Sequence, residues 1–166
     1  LGSEAYLNEL ARYAHQYNPF NLLVYDGLQL MGCESRGQDY QIVRTKPGVA
    51  AVSNADFDSA WPKVAALREA LNDALSEDDA TDQQLLKLLE NRETAPDTLL
   101  PETGIPRDLE RALSAAFITL PAYGTRASSV VRIHADSVHM IERCFDAAGV
   151  RTDVAISRAR TVQKGR

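Results

Sequence analysis

Between Glu4 and Tyr17 the apolar residues Tyr6, Leu7, Leu10, Tyr13, Ala14 and Tyr17 recur three and four positions apart, with Ser3 placed to cap the start. That spacing predicts an amphipathic helix. Asn18 and Pro19 end it, and the pattern changes to short apolar runs. "FNLLVYDG" and "LQLMGCES" read as two strands meeting at Asp26-Gly27, a pair that accepts the positive φ angles of a tight hairpin. A third strand is expected over 40–44 after a turn at Arg36-Gly37, and "KPGVAAVSNA" adds a turn and a short strand ending at Ser53 and Asn54.

The period then becomes 3.6. Pro62 suits a first helical turn, where its missing N–H costs nothing, and Val64, Leu67, Leu71 and Leu75 form one stripe behind it. A further helix is predicted from Thr81, which has capping-box spacing to Gln84, and it should bury Leu85, Leu86, Leu88 and Leu89. "TAPDTLLPETGIP" holds three prolines and one glycine, so it reads as a long irregular loop of the kind that is often functional or mobile. A short helix over 109–113 precedes four expected strands, "AAFITL", "SSVVRIH", "SVHMIERCF" and "VRTDVAIS", with "HADS" turning a hairpin. Strands, helices and strands again imply an α+β layered fold built on antiparallel sheet.

Composition narrows the partners. The 166 residues are 45% hydrophobic and 25% charged, enough to bury one core, so a single domain over 1–157 is expected. With 23 acidic and 18 basic side chains the net charge is −5, which disfavours nucleic acid as a partner. The basic cluster, "RARTVQKGR" at 158–166, reads as a solvated tail. Cys33 and Cys144 lack metal-ligand spacing, which favours a reducing, cytoplasmic setting. No apolar run approaches the roughly 18 residues of a membrane span.

Three groups of residues could carry chemistry. Gly124, Thr125 and Arg126 stand just before Ser128, Ser129 and a β-branched strand. A glycine admits close backbone approach, and an arginine at a strand mouth can pair with carboxylate or phosphate; the plainer reading is a capped loop with a solvated arginine. Ser53, Asn54, Trp61 and Lys63 fall within "VSNADFDSAWPK", where Asn54 could serve as an oxyanion donor or clamp and Trp61-Pro62-Lys63 could form a pocket rim. Turn chemistry and packing explain the same residues equally well. The third group is His15, His134, His139, Cys33, Cys144 and Met140; His134 and His139 flank one turn and are weak candidates for heme ligands, without a recognised ligand spacing. There is no GxGxxG, Walker or GxSxG sequence.

"YNPFNLLVYDG", "VSNADFDSAWPKV", "APDTLLPETGIP", "YGTRASSVVRI" and "ERCFDAAG", in that order, resemble the transport and Golgi organisation 2 family, also called NRDE proteins, over about 4–156. The resemblance implies an N-terminal nucleophile hydrolase fold, an αββα sandwich of antiparallel sheets flanked by helices. It also implies intracellular heme trafficking or the handling of an acyl or lipid anion, with heme or another small hydrophobic anion as ligand and Arg126 reaching its acidic group. Family members open with Met-Cys and carry an Asn-Arg-Asp-Glu motif in a segment ahead of the part matched here, so the chain is expected to be the C-terminal portion of such a protein, with that N-terminal segment as a partner. The alternative implied is an amidohydrolase or acyltransferase whose nucleophilic cysteine lies in the upstream segment, with Asn54 at the oxyanion. Leu1 and Gly2 offer no nucleophile and Ser3 is not terminal, so this chain alone is not expected to be catalytic by that route.

Overall fold

A computed structural model describes residues 2–53, 55–57, 59–76 and 80–160, the last by its backbone alone. The chain is mixed α+β and divides into two compact units, Leu1–Ala60 and Trp61–Arg166, each with its own antiparallel sheet.

The first unit runs α1 (Ser3–Ala11), a 3-10 turn (Ala14–Gln16), β1 (Phe20–Tyr25), β2 (Leu30–Arg36) and β3 (Asp39–Arg44), with the strands paired in that order. The helix is shorter than its apolar repeat suggests. It stops at Ala11, and the tighter turn that follows buries Ala14 while Tyr6, Tyr13 and Tyr17 stay about half exposed. Leu7, Met31 and Cys33 are fully buried at the centre, flanked by Leu10, Phe20, Leu22, Val24, Tyr40 and Ile42. On the other face of β2, Gly32 is closely covered: a Cβ there would stand 2.6 Å from Phe57 Cζ.

Asp26 ties the hairpin to the helix. Its carboxylate accepts from Ser3 N at 2.8 Å and from Leu28 N and Gln29 N at 3.0 Å each. Gly27 has φ of +93° and Gly37 +82°, so both expected turns form at the glycines. The strand expected to end at Ser53 and Asn54 does not form: residues 51–53 are irregular rather than strand, and Asn54 lies outside the described residues. A side chain supplies the anchor a ladder would have given, since Asn21 Nδ2 donates to the carbonyls of Ser53 and Ala55, each at 2.8 Å.

The second unit contains α2 (Pro62–Ser76), α3 (Asp82–Leu88), a 3-10 turn (Asp97–Leu99), α4 (Arg107–Leu113), the short hairpin β4 (Thr119–Leu120) and β5 (Tyr123–Gly124), and the sheet β6 (Ala127–Ile133), β7 (Ser137–Phe145) and β8 (Arg151–Arg160). The Thr81–Gln84 capping box forms in full. Of the expected leucines, Leu86 is fully buried and Leu85, Leu88 and Leu89 are half-buried, while Leu75 at the end of the α2 stripe is 49% exposed.

Polar pairs pin α3 to the sheet. Arg132 Nε donates to Asp82 Oδ1 at 2.6 Å, and the buried Arg143 guanidinium bonds Glu90 and Gln83. The proline-rich loop is similarly fastened: Thr103 N donates to Glu110 Oε1 at 2.8 Å, Arg111 grips both oxygens of Asp97 at 2.7 Å, and Ala95 N bonds Ser114 Oγ at 2.8 Å. "AAFITL" is strand only at Thr119–Leu120. Ala115 and Phe117 instead sink into the core, with the Phe117 ring edge-on to Phe145 at 4.7 Å between centroids. β8 extends through the start of the expected basic tail, placing Arg158 opposite His139, and residues 161–166 lie outside the described residues.

Candidate functional site

The β4–β5 hairpin and the entry to β6 enclose a cavity of about 400 Å³, within the size range of ligand pockets. Ile118, Leu120, Pro121 and Tyr123 give it apolar walls, and Arg126 and Asp146 stand on its rim.

Three of the candidate residues meet here, in different roles. Gly124 serves the chain's own packing, because a Cβ would lie 2.7 Å from the Ile118 carbonyl. Thr125 clamps the same segment twice: its N–H donates to Ile118 O at 2.8 Å and its Oγ1 accepts from Ile118 N at 3.0 Å. With its neighbours locked, the strand begins at a defined point and Arg126 is held by its backbone, whose carbonyl accepts from Phe145 N at 2.9 Å. The Arg126 guanidinium is exposed and makes no hydrogen bond or ion pair among the described residues. Asp146 makes no ion pair with it among the described residues. That carboxylate instead accepts from Ala148 N at 2.9 Å and Val150 N at 2.8 Å, closing the turn behind the pocket. The site therefore presents an unpaired cation beside apolar wall, an arrangement suited to a hydrophobic anion.

The other candidates stand elsewhere. Ser53 belongs to the first unit, and Asn54 is outside the described residues. Trp61 does not line this cavity; Lys63 Nζ sits over its ring, 5.6 Å from the centroid. His134 is exposed in the β6–β7 turn, and His139 is held on β7 with Nδ1 3.3 Å from Asp82 Oδ2. Neither histidine lines the cavity, and among the described residues no group of three His, Cys, Asp or Glu could hold a metal ion.

The family model for transport and Golgi organisation 2 matches residues 1–147. The chain belongs to that family. It is 30% identical over 149 residues to the transport and Golgi organization protein 2 homolog of Bos taurus, covering 82% of this chain and 54% of that protein. The Homo sapiens homolog is 28% identical over 147 residues, covering 81% and 53%, and the Mus musculus homolog 26% over 149 residues, covering 82% and 54%. The chain thus spans about half the length of these transport and Golgi organisation 2 relatives. The hairpin, both locked neighbours and Arg126 all fall inside the matched region. Lys63, expected with Trp61 and Pro62 on a pocket rim, lines a separate cavity between α2 and α3. No helix among the described residues is long and apolar enough to cross a membrane.

Proposed function

We propose that this chain binds a small hydrophobic anion, an acyl compound or heme, at the Arg126 cavity, and serves as the carrier portion of an intracellular trafficking protein. The observation that carries the reading is the unpaired Arg126 guanidinium beside the walls formed by Ile118, Leu120 and Pro121. A carboxylate on the ligand would complete a charge-assisted pair that Asp146 leaves open. Because neither His134 nor His139 lines the cavity, heme would be held here through a propionate rather than by histidine ligation. The unpaired thiols of Cys33 and Cys144 favour a reducing, cytoplasmic setting. The same reading takes the fold as N-terminal nucleophile hydrolase-like, supported by antiparallel three-stranded sheets with helices against them.

Calorimetric titration of the chain with hemin and with octanoyl-coenzyme A tests the reading. At least one should bind, and Arg126→Ala should weaken it roughly tenfold or more, as expected for a hydrogen bond to a charged group worth about 1.5–3 kcal/mol. Equal affinity in the variant, or no binding of either compound to the unaltered chain, would refute it.

A further inference from the structure

The second unit holds a larger cavity, of about 560 Å³, between α2 and α3, within the size range of small-molecule sites. Ala66, Leu67, Ala70 and Leu88 give it apolar walls, and Lys63 lines it from the first turn of α2. Lys87 lines it from α3, but the two lysines differ: Lys87 is exposed, whereas Lys63 is half-buried. Glu93 is the acidic side chain on these walls, and it is exposed.

Lys63 Nζ donates to Leu113 O at 2.9 Å and lies 5.6 Å from the centre of the Trp61 ring. Both partners are neutral. An ammonium has three N–H donors, so the bond to Leu113 occupies one of them and leaves the nitrogen open on its other sides. Ser114, which follows Leu113, is itself a wall residue, so the carbonyl that holds Nζ borders the cavity. Burial pushes the Lys63 pKa below the ordinary lysine value, which raises the share of free amine at neutral pH. A lysine amine withdrawn from water against apolar walls is an activated nucleophile.

We propose that Lys63 captures a small neutral carbonyl compound, an aldehyde or ketone with a short apolar substituent, as an imine in the α2–α3 cavity. The Nζ lone pair attacks the carbonyl carbon while the carbonyl oxygen takes up a proton, giving a carbinolamine. That oxygen then leaves as water. One C=O bond is exchanged for one C=N bond with no electrons gained or lost, and two of the three ammonium hydrogens depart with the oxygen. The iminium so formed keeps one N–H, enough to preserve the bond to Leu113 O. A neutral compound suits these walls better than an ion, because burial already disfavours the charge on Lys63. The cavity shares no wall residue with the Arg126 site, so the inference does not rest on that reading.

The test is reductive trapping of the full chain with butanal and sodium cyanoborohydride near neutral pH, each lysine being followed by peptide mass spectrometry. Cyanoborohydride reduces the imine to a stable secondary amine. Lys63 should be alkylated at least tenfold faster than the exposed Lys46 and Lys87 in the same sample. Its rate should also level off as butanal increases, while theirs rise in proportion. Glyceraldehyde, neutral but polar, should show no such preference for Lys63. Ala70→Phe, which fills the cavity, should slow Lys63 towards the rate of Lys46. Far-UV circular dichroism checks the fold, and should that variant fail to fold, saturation and the comparison of the two aldehydes on the unaltered chain decide alone. The proposal is overturned if Lys63 reacts no faster than Lys46 and Lys87, if its rate stays proportional to butanal, if glyceraldehyde prefers Lys63 equally, or if folded Ala70→Phe is labelled as before.

Discussion

Asp26 shows how much one side chain can organise. Three backbone N–H groups converge on its carboxylate, that of Ser3 most strongly and then those of Gln29 and Leu28, and they hold its pKa well below the usual carboxylate range. A depressed folded pKa gives stability that is complete above the unfolded value, 3.8, and is lost as pH falls below it towards the folded one. Urea unfolding of Asp26→Asn should therefore show a weaker loss of stability below about pH 4 than the unaltered chain, and lower stability near neutrality. Gly32 acts by lacking a side chain. A methyl group there would press on Phe57 Cζ and stand 3.1 Å from the Leu22 carbonyl, so Gly32→Ala should destabilise by about 1–3 kcal/mol in chemical denaturation. Asp26-Gly27 was legible as a turn, but the reach of Asp26 to Ser3, far back in the chain, was not.

At the scale of elements, α3 depends on two separate devices. Its first turn is closed by the capping box, and Thr81→Ala should cost about 1 kcal/mol of stability by the same assay. Its hold on the sheet comes from Arg132 to Asp82 and from Arg143 to Glu90 and Gln83. Arg143 is buried, so Glu90→Ala leaves a charge withdrawn from water with a weakened partner set, and a loss of about 3 kcal/mol is expected. The capping box was readable from Thr81 and Gln84 because it is a local rule. The arginine clasps join residues 50 and more positions apart, which periodicity cannot reveal.

The whole molecule has two cores in separate units, and local stability should follow that division. Hydrogen exchange on Gly32→Ala should show faster exchange in β1–β3, with β6–β8 changed far less; uniform acceleration throughout would indicate one cooperative unit. Local rules in the sequence determined the α+β class, the hairpin at Asp26-Gly27, the Thr81–Gln84 capping box and the family. These depend on neighbours within a few positions, or on the order of short motifs. The cap expected at Ser3 does not form, because Ser3 lies within the first turn of α1 and Gly2 takes the N-cap position. Tertiary structure alone decided that Phe117 enters the core rather than extending a strand, and that Ser53 is anchored by Asn21 rather than by a ladder. It also decided that Asp146 bonds Ala148 and Val150 rather than Arg126, while Leu113 and Trp61 surround Lys63. Whether a charged side chain is satisfied depends on groups brought together from distant parts of the chain, and that is why the sequence names an arginine or a lysine but only the fold shows which one is left facing a cavity.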